Sequence, residues 1–115
     1  MIDVYVPQRG DVVWLSFSPQ AGHEQAGRRP GLVLSPMRYN GKVGLMLACP
    51  ITSHSKGYPF EVEIPEGAGV SGVILSDQLR SLDWRERRAE YAGRVDTATL
   101  DDVRSKLDAV LHEEG

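Results

Sequence analysis

A small, strongly bent antiparallel sheet or partly open barrel, closed by a single C-terminal helix, is the mainly β (α+β) fold that the sequence predicts. Short runs rich in β-branched and aromatic residues recur along most of the chain, turn signals separate them, and the one convincing helical pattern comes last. A chain of 115 residues with 41% hydrophobic content can build one modest core and not two, so residues 1–115 form a single domain that dimerisation would help to stabilise.

Asp11-Val12-Val13-Trp14-Leu15-Ser16-Phe17 reads as the first strand, ended by the breaker Pro19. Four more strands are expected at 31–35, 43–49, 60–64 and 72–76, and residues 78–82 alternate well enough for a sixth. Ser35-Pro36, Asn40-Gly41, Lys56-Gly57 and Gly67-Ala68-Gly69 mark turns. Asn and Gly both tolerate positive φ, so Asn40-Gly41 predicts a tight hairpin joining its flanking strands. At the C-terminus Thr99 is the expected N-cap, with Asp102 at the reciprocal capping-box position, and Leu100, Val103, Leu107, Val110 and Leu111 form the stripe that packs on the sheet.

A formal net charge of −3 argues, as an average, against binding phosphates. The charge is unevenly divided, however. Residues 1–60 carry Arg9, Arg28, Arg29, Arg38, Lys42 and Lys56 against Asp3, Asp11 and Glu24, a balance of +3, while residues 61–115 hold 7 basic and 13 acidic residues, or −6. Basic surface therefore belongs to the first half, with Arg80, Arg85, Arg87 and Arg88 as an extension; a solvated mixed surface is the plain alternative.

Residues 1–7 lack a basic-then-apolar leader pattern, and no apolar run approaches the roughly 20 residues that span a bilayer, so a cytoplasmic location is expected. Cys49 is the single cysteine, which excludes an internal disulfide; as part of an apolar strand it is a poor nucleophile. No metal is expected, because His-x-x-x-His is absent, Asp101-Asp102 falls in the first turn of a helix and Glu113-Glu114 ends the chain.

Residues 18–30 form a long connection without apolar anchors, and they concentrate His23, Glu24, Gln25, Arg28 and Arg29. Metal-free RNA cleavage needs a base, an acid for the leaving oxygen and cations for the charge growing on phosphate; arginine suits the last because its planar fork meets two oxygens at once. Arg29 precedes Pro30, which presses it toward extended backbone at the mouth of a strand. A surface ion pair of Arg29 with Glu24 is the plainer reading. After Cys49-Pro50, the stretch Ile51-Thr52-Ser53-His54-Ser55-Lys56 offers hydroxyls, an imidazole and an ammonium for phosphate and flanking nucleotides, although such a stretch alone is more often turn chemistry. A His23–His54 acid–base pair is a weaker option, since neither has an orienting carboxylate in sequence. Phe17, Tyr39, Tyr58 and Trp84 are the aromatics near these loops; the core is an equal claimant for Phe17 and Trp84, and Tyr58 is expected to be exposed.

Gly10-Asp11-Val12-Val13-Trp14, Gly22-His23-Glu24-Gln25-Ala26-Gly27-Arg28-Arg29-Pro30, Val33-Leu34-Ser35-Pro36, Lys56-Gly57-Tyr58-Pro59-Phe60-Glu61-Val62 and the stretch 77–84 together resemble the MazF/PemK (Kid-like) toxin family. The resemblance covers nearly the whole chain from Tyr5 to the final helix. It implies an SH3-like barrel with a C-terminal helix, assembled as a homodimer. The implied activity is metal-independent cleavage of single-stranded RNA, chiefly mRNA with rRNA or tRNA as further targets, leaving 2′,3′-cyclic phosphate and 5′-OH ends. It further implies no cofactor, a MazE-like antitoxin, and contact with DNA only through that antitoxin. An acidic disordered segment lying in the basic groove would exclude RNA.

Carried onto this sequence, the family's essential arginine falls on Arg29 and its essential hydroxyl on Thr52. Glu24 is implied to position Arg29 or share in proton transfer. Gln25, Arg28, Ser53, His54, Lys56, Gln78 and Arg80 are implied RNA-binding residues, with Phe17 stacking a base. The chain departs from the family in Arg28 before Arg29 and in Ser16 where an acid is found, differences that bear on the RNA sequence preferred. Two alternatives remain: a toxin resembling the gyrase poison CcdB, whose mode relies on an aromatic C-terminus that Leu111-His112-Glu113-Glu114-Gly115 lacks, and an inactive SH3-like binding module, which would have no need of Arg29 and Thr52 together.

Overall fold

The computed structural model describes residues 4–16 and 27–113. These form β1 (Asp11–Ser16), β2 (Arg28–Val33), α1 (Met37–Val43), β3 (Leu45–Thr52), β4 (Glu61–Glu63), β5 (Val73–Leu75), β6 (Arg80–Asp83), β7 (Glu90–Arg94) and α2 (Thr97–His112). The strands pair antiparallel in the order β4-β5-β3-β2-β1-β7, with β6 also on β3. This is the bent sheet with a terminal helix that the sequence predicts.

Most of β1 and the second half of β2 are buried on both faces, so their apolar residues run consecutively while the period-2 pleat deals them to opposite sides. Val12 and Leu32 enter one core with Cys49, Ile51, Ile74 and Val103; Val13, Leu15 and Val33 enter a second with Met46, Leu82 and Trp84. β3 holds the two halves together by changing partner along its length. Leu45–Ala48 pair with β6, whereas Ile51 and Thr52 pair with Ile74 and Val73 of β5. Pro50 lies between the two ladders, where a residue without an amide hydrogen is tolerated.

The ends of the sheet meet through glycine. A Cβ on Gly69 would collide with the carbonyl of Ala92, and one on Gly93 with the carbonyl of Ala68, so the turn after β4 reaches β7 backbone against backbone.

Two expectations need correction. Asn40-Gly41 is not a hairpin turn: β2 and β3 pair as expected, but α1 joins them. The reason is that Asn40 is fully buried. Its Nδ2 donates to the carbonyls of Pro7 (2.8 Å) and Ser35 (3.0 Å), its Oδ1 accepts from Ser35 Oγ, and its carbonyl accepts from Trp84 Nε1 at 2.9 Å. The second correction concerns the cap of α2, which is Asp96 and not Thr99; Asp96 Oδ1 accepts from Thr99 N at 2.9 Å. Asp102 instead pairs with Lys106 at 3.4 Å one turn on. Of the apolar stripe, Val103 is buried and Leu100 and Leu107 are half-buried, while Val110 and Leu111 are exposed.

Candidate active site

The β2–β3 register aligns the two residues singled out in the sequence. The recorded pairs are Gly31 with Pro50, Leu32 with Cys49 and Val33 with Ala48. Continuing that register toward the start of β2 and the end of β3 sets Arg29 opposite Thr52, and directly opposed residues lie on the same face of a sheet. Arg29 is exposed, and among the described residues no hydrogen bond or ion pair occupies its guanidinium. Pro30 follows it and stiffens the backbone that carries it.

Thr52 is half-buried at the last position of β3, and its Oγ1 accepts from His54 N at 3.2 Å. That bond turns the chain out of the strand and leaves the hydroxyl proton free to donate elsewhere. Gly72 fixes the other side of Thr52: it has φ 125°, and a Cβ there would strike the Thr52 carbonyl. Only glycine permits so close an approach.

A cavity of about 450 Å³ opens beside Thr52, with His54, Lys56, Tyr58, Asp77 and Gln78 among its walls. The topology explains why residues so distant in sequence share it. β5 pairs with the end of β3 and β6 with its beginning, so the link 76–79 runs alongside the middle of β3. The Cys49 thiol lies 3.7 Å from the carbonyl of Ser76 on that link. Lys56 Nζ lies 6.0 Å from the centroid of the Tyr58 ring, and that ring is exposed, as expected. Trp84, by contrast, belongs to the core.

Thr52, His54, Lys56 and Gln78 are thus brought together around one cavity, with Ser53 on the exposed loop at its edge. Ser53 Oγ lies 3.3 Å from His54 Nδ1, and no carboxylate among the described residues hydrogen-bonds that imidazole. Arg80 begins β6 opposite Ala48, four residues along β3 from Thr52. Arg28 takes another direction. It donates to Ser16 Oγ (3.0 Å) and the Arg88 carbonyl (3.1 Å) and pairs with Glu90 Oε1 at 3.1 Å, tying β1, β2 and β7 together. Phe17, His23, Glu24 and Gln25 lie outside the described residues.

Residues 8–111 match the model of the PemK-like, MazF-like toxin of type II toxin–antitoxin systems. The chain belongs to this MazF-like family. It is 45% identical over 111 residues to the endoribonuclease toxin MazF of Escherichia coli K12, covering 96% of this chain and 99% of that protein. It is 36% identical over 110 residues to the endoribonuclease toxin ChpB of the same strain, covering 90% and 93%. Among solved structures it is similar to MazF of Deinococcus radiodurans (TM-score 0.85, 60% identity, covering 96% of this chain and 100% of that one). It is also similar to the MazE–MazF structure of that organism (TM-score 0.87, 57% identity, the same coverage).

The fold also recruits residues of the MazF-like family's stretches to which the sequence assigned no site role. Glu61 is one: its carboxylate accepts from Ser55 Oγ, Lys56 N and Gly57 N. The Lys56 amide first, then the Ser55 hydroxyl, hold that carboxyl below the usual carboxylate range. Asp77 is another, a carboxylate on the cavity wall that also helps to raise the pKa of Cys49. Neither carries a spacing signal: Glu61 meets its partners through the turn of its own loop, and Asp77 reaches the cavity because the 76–79 link runs beside β3. Among the described residues no group of three His, Cys, Asp or Glu is placed to hold a metal ion, and no helix is long and apolar enough to cross a membrane.

Proposed function

We infer that this chain is an endoribonuclease toxin that cuts single-stranded RNA at a short sequence, without a metal, in the cytoplasm. What carries the reading is the β2–β3 register, which, continued past Gly31 and Pro50, sets Arg29 opposite the strand-end hydroxyl of Thr52, beside a cavity that combines an ammonium, an imidazole and an aromatic face. Membership of the MazF-like family and 45% identity to an endoribonuclease over 96% of the chain support it.

Such a site suits internal transesterification. The 2′-oxygen bonds to the neighbouring phosphorus and the phosphorus–O5′ bond breaks; one proton leaves the 2′-hydroxyl and one reaches the 5′-oxygen, giving a 2′,3′-cyclic phosphate and a 5′-OH. Arg29 neutralises the charge that grows on the phosphate oxygens, where two parallel N–H donors act together. Thr52 donates its hydroxyl to the scissile group, and Glu24 orients Arg29 or carries a proton. Ser53, His54, Lys56, Gln78 and Arg80, with Gln25 and Phe17, position the strand, and Arg28, held by Ser16 and Glu90, serves RNA from the outer side of the same strand start.

The active form is a homodimer silenced by a MazE-like antitoxin, in keeping with the MazE–MazF structures of a relative at 57% identity. Light scattering is expected to give twice 12.7 kDa for the purified toxin; a monomer would contradict the dimer. The activity is tested by incubating a long single-stranded RNA with the protein in excess EDTA and mapping the ends. Discrete cuts with cyclic-phosphate ends are expected, and intact RNA across diverse sequences would reject the reading in favour of a binding module.

A further inference from the structure

Residues 53–60 leave the strand that ends in Thr52 and return as β4, and one side chain gathers them. Glu61 Oε1 accepts from Ser55 Oγ at 2.8 Å and from Gly57 N at 3.1 Å, Oε2 accepts from Lys56 N at 2.9 Å, and Glu61 N donates to the Tyr58 carbonyl at 3.1 Å. Gly57, at φ 76°, supplies the left-handed turn that lets consecutive amides face one carboxylate. The other end of this clamp is rigid. Glu61 pairs with Leu75, and two residues along the same strand Val73 pairs with Thr52. A single ladder therefore carries both the strand-end hydroxyl and the anchor of the loop beside it.

The loop so held forms one side of the cavity next to Thr52: His54, Lys56 and Tyr58 come from it, and Asp77 and Gln78 face them from the 76–79 link. A ring face with a nearby ammonium on one wall and a carboxylate and an amide on the other suit an unpaired nucleobase, which stacks with its face and hydrogen-bonds with its edge. We propose that Glu61 is a positioning residue for RNA, holding loop 53–60 in the shape that completes a base-accepting cavity beside Thr52. It does not touch the reacting atoms, since three donors of its own loop occupy its carboxylate. The proposal rests on the endoribonuclease reading and adds to it the element that shapes the binding surface.

The test is steady-state cleavage of a fluorogenic RNA oligonucleotide carrying the cut site mapped with the wild-type protein, compared for wild type, Glu61→Ala, Glu61→Gln and Ser55→Ala. Losing the clamp should raise KM about tenfold in Glu61→Ala and leave kcat within about twofold, the size expected for charge-assisted hydrogen bonds that act on binding alone. Glu61→Gln keeps the oxygen that serves Ser55 and Gly57 but turns an amide toward Lys56 N, and Ser55→Ala removes one donor; both should fall between. An unchanged KM in Glu61→Ala, or a kcat that falls with KM unchanged, overturns the proposal. If Glu61→Ala does not fold, unchanged KM values in the other two variants overturn it equally. Absence of cleavage by the wild-type protein is a different result, which removes the endoribonuclease reading itself.

Discussion

Cys49 illustrates how little a residue's type decides without its surroundings. Its thiol is fully buried in the core beneath the candidate site, and burial, followed by the Asp77 carboxylate, pushes its pKa up to about 12 from an ordinary 9.0. A thiol held protonated in the native state stabilises the fold while both states keep the proton, below pH 9. That contribution is lost as pH rises from 9 toward 12, because the unfolded chain ionises first. The stability difference between wild type and Cys49→Ala, from urea midpoints at pH 8 to 11, should therefore shrink above pH 9 by about 1 kcal/mol per pH unit. A constant difference across that range would contradict it. Tyr5 is displaced in the same sense, upward, by burial and then by its hydrogen bond to Asp11, the buried carboxylate that also pairs with Arg94 at 2.7 Å.

Among the elements, the β3–β5 ladder bears most directly on the site, and Gly72 is its tightest point. Gly72→Ala would force a methyl group into the Thr52 carbonyl at a backbone angle that side chains rarely adopt. A loss of about 1–3 kcal/mol is expected from that strain, with a fall in RNA cleavage as Thr52 shifts. Gly41→Ala is the control, since a Cβ there meets only Val6 at 3.5 Å, an ordinary contact inside a helix. Melting and cleavage assays on both variants would sink the argument if Gly72→Ala matched the wild type. The elements differ in how openly the sequence displays them. Strands β1 to β6 were legible, within a few residues, because short apolar, β-branched runs stand between turn signals, and helix α2 because its apolar residues follow a helical period. β7 was not, because Glu90-Tyr91-Ala92-Gly93-Arg94 has little to bury and owes its place to β1 and to the close passage of Ala68-Gly69. Asn40-Gly41 misled because its turn chemistry was overridden by four hydrogen bonds of the buried Asn40, two to nearby Ser35 and two to the distant Pro7 and Trp84.

At the scale of the whole molecule, a bent sheet whose central strand serves two ladders brings residue 29, residue 52 and the 76–79 link to one region. Arg29 and Thr52 were legible because the family resemblance carries an essential arginine and an essential hydroxyl onto them; Glu61 and Asp77 stand in stretches that carry the resemblance too, but their roles exist only once the chain has folded back on itself. The central claim is that Arg29 and Thr52 act as one unit on a phosphate. The most direct test compares single-turnover cleavage rates in EDTA for wild type, Arg29→Ala, Thr52→Ala and the double variant, each first checked for an unchanged melting temperature. Residues acting together lose about as much singly as jointly, so each single variant should fall on the order of a hundredfold or more, and the double variant should be little worse than the weaker single. Losses that multiply independently, or a single variant that retains wild-type rates, would contradict a shared role.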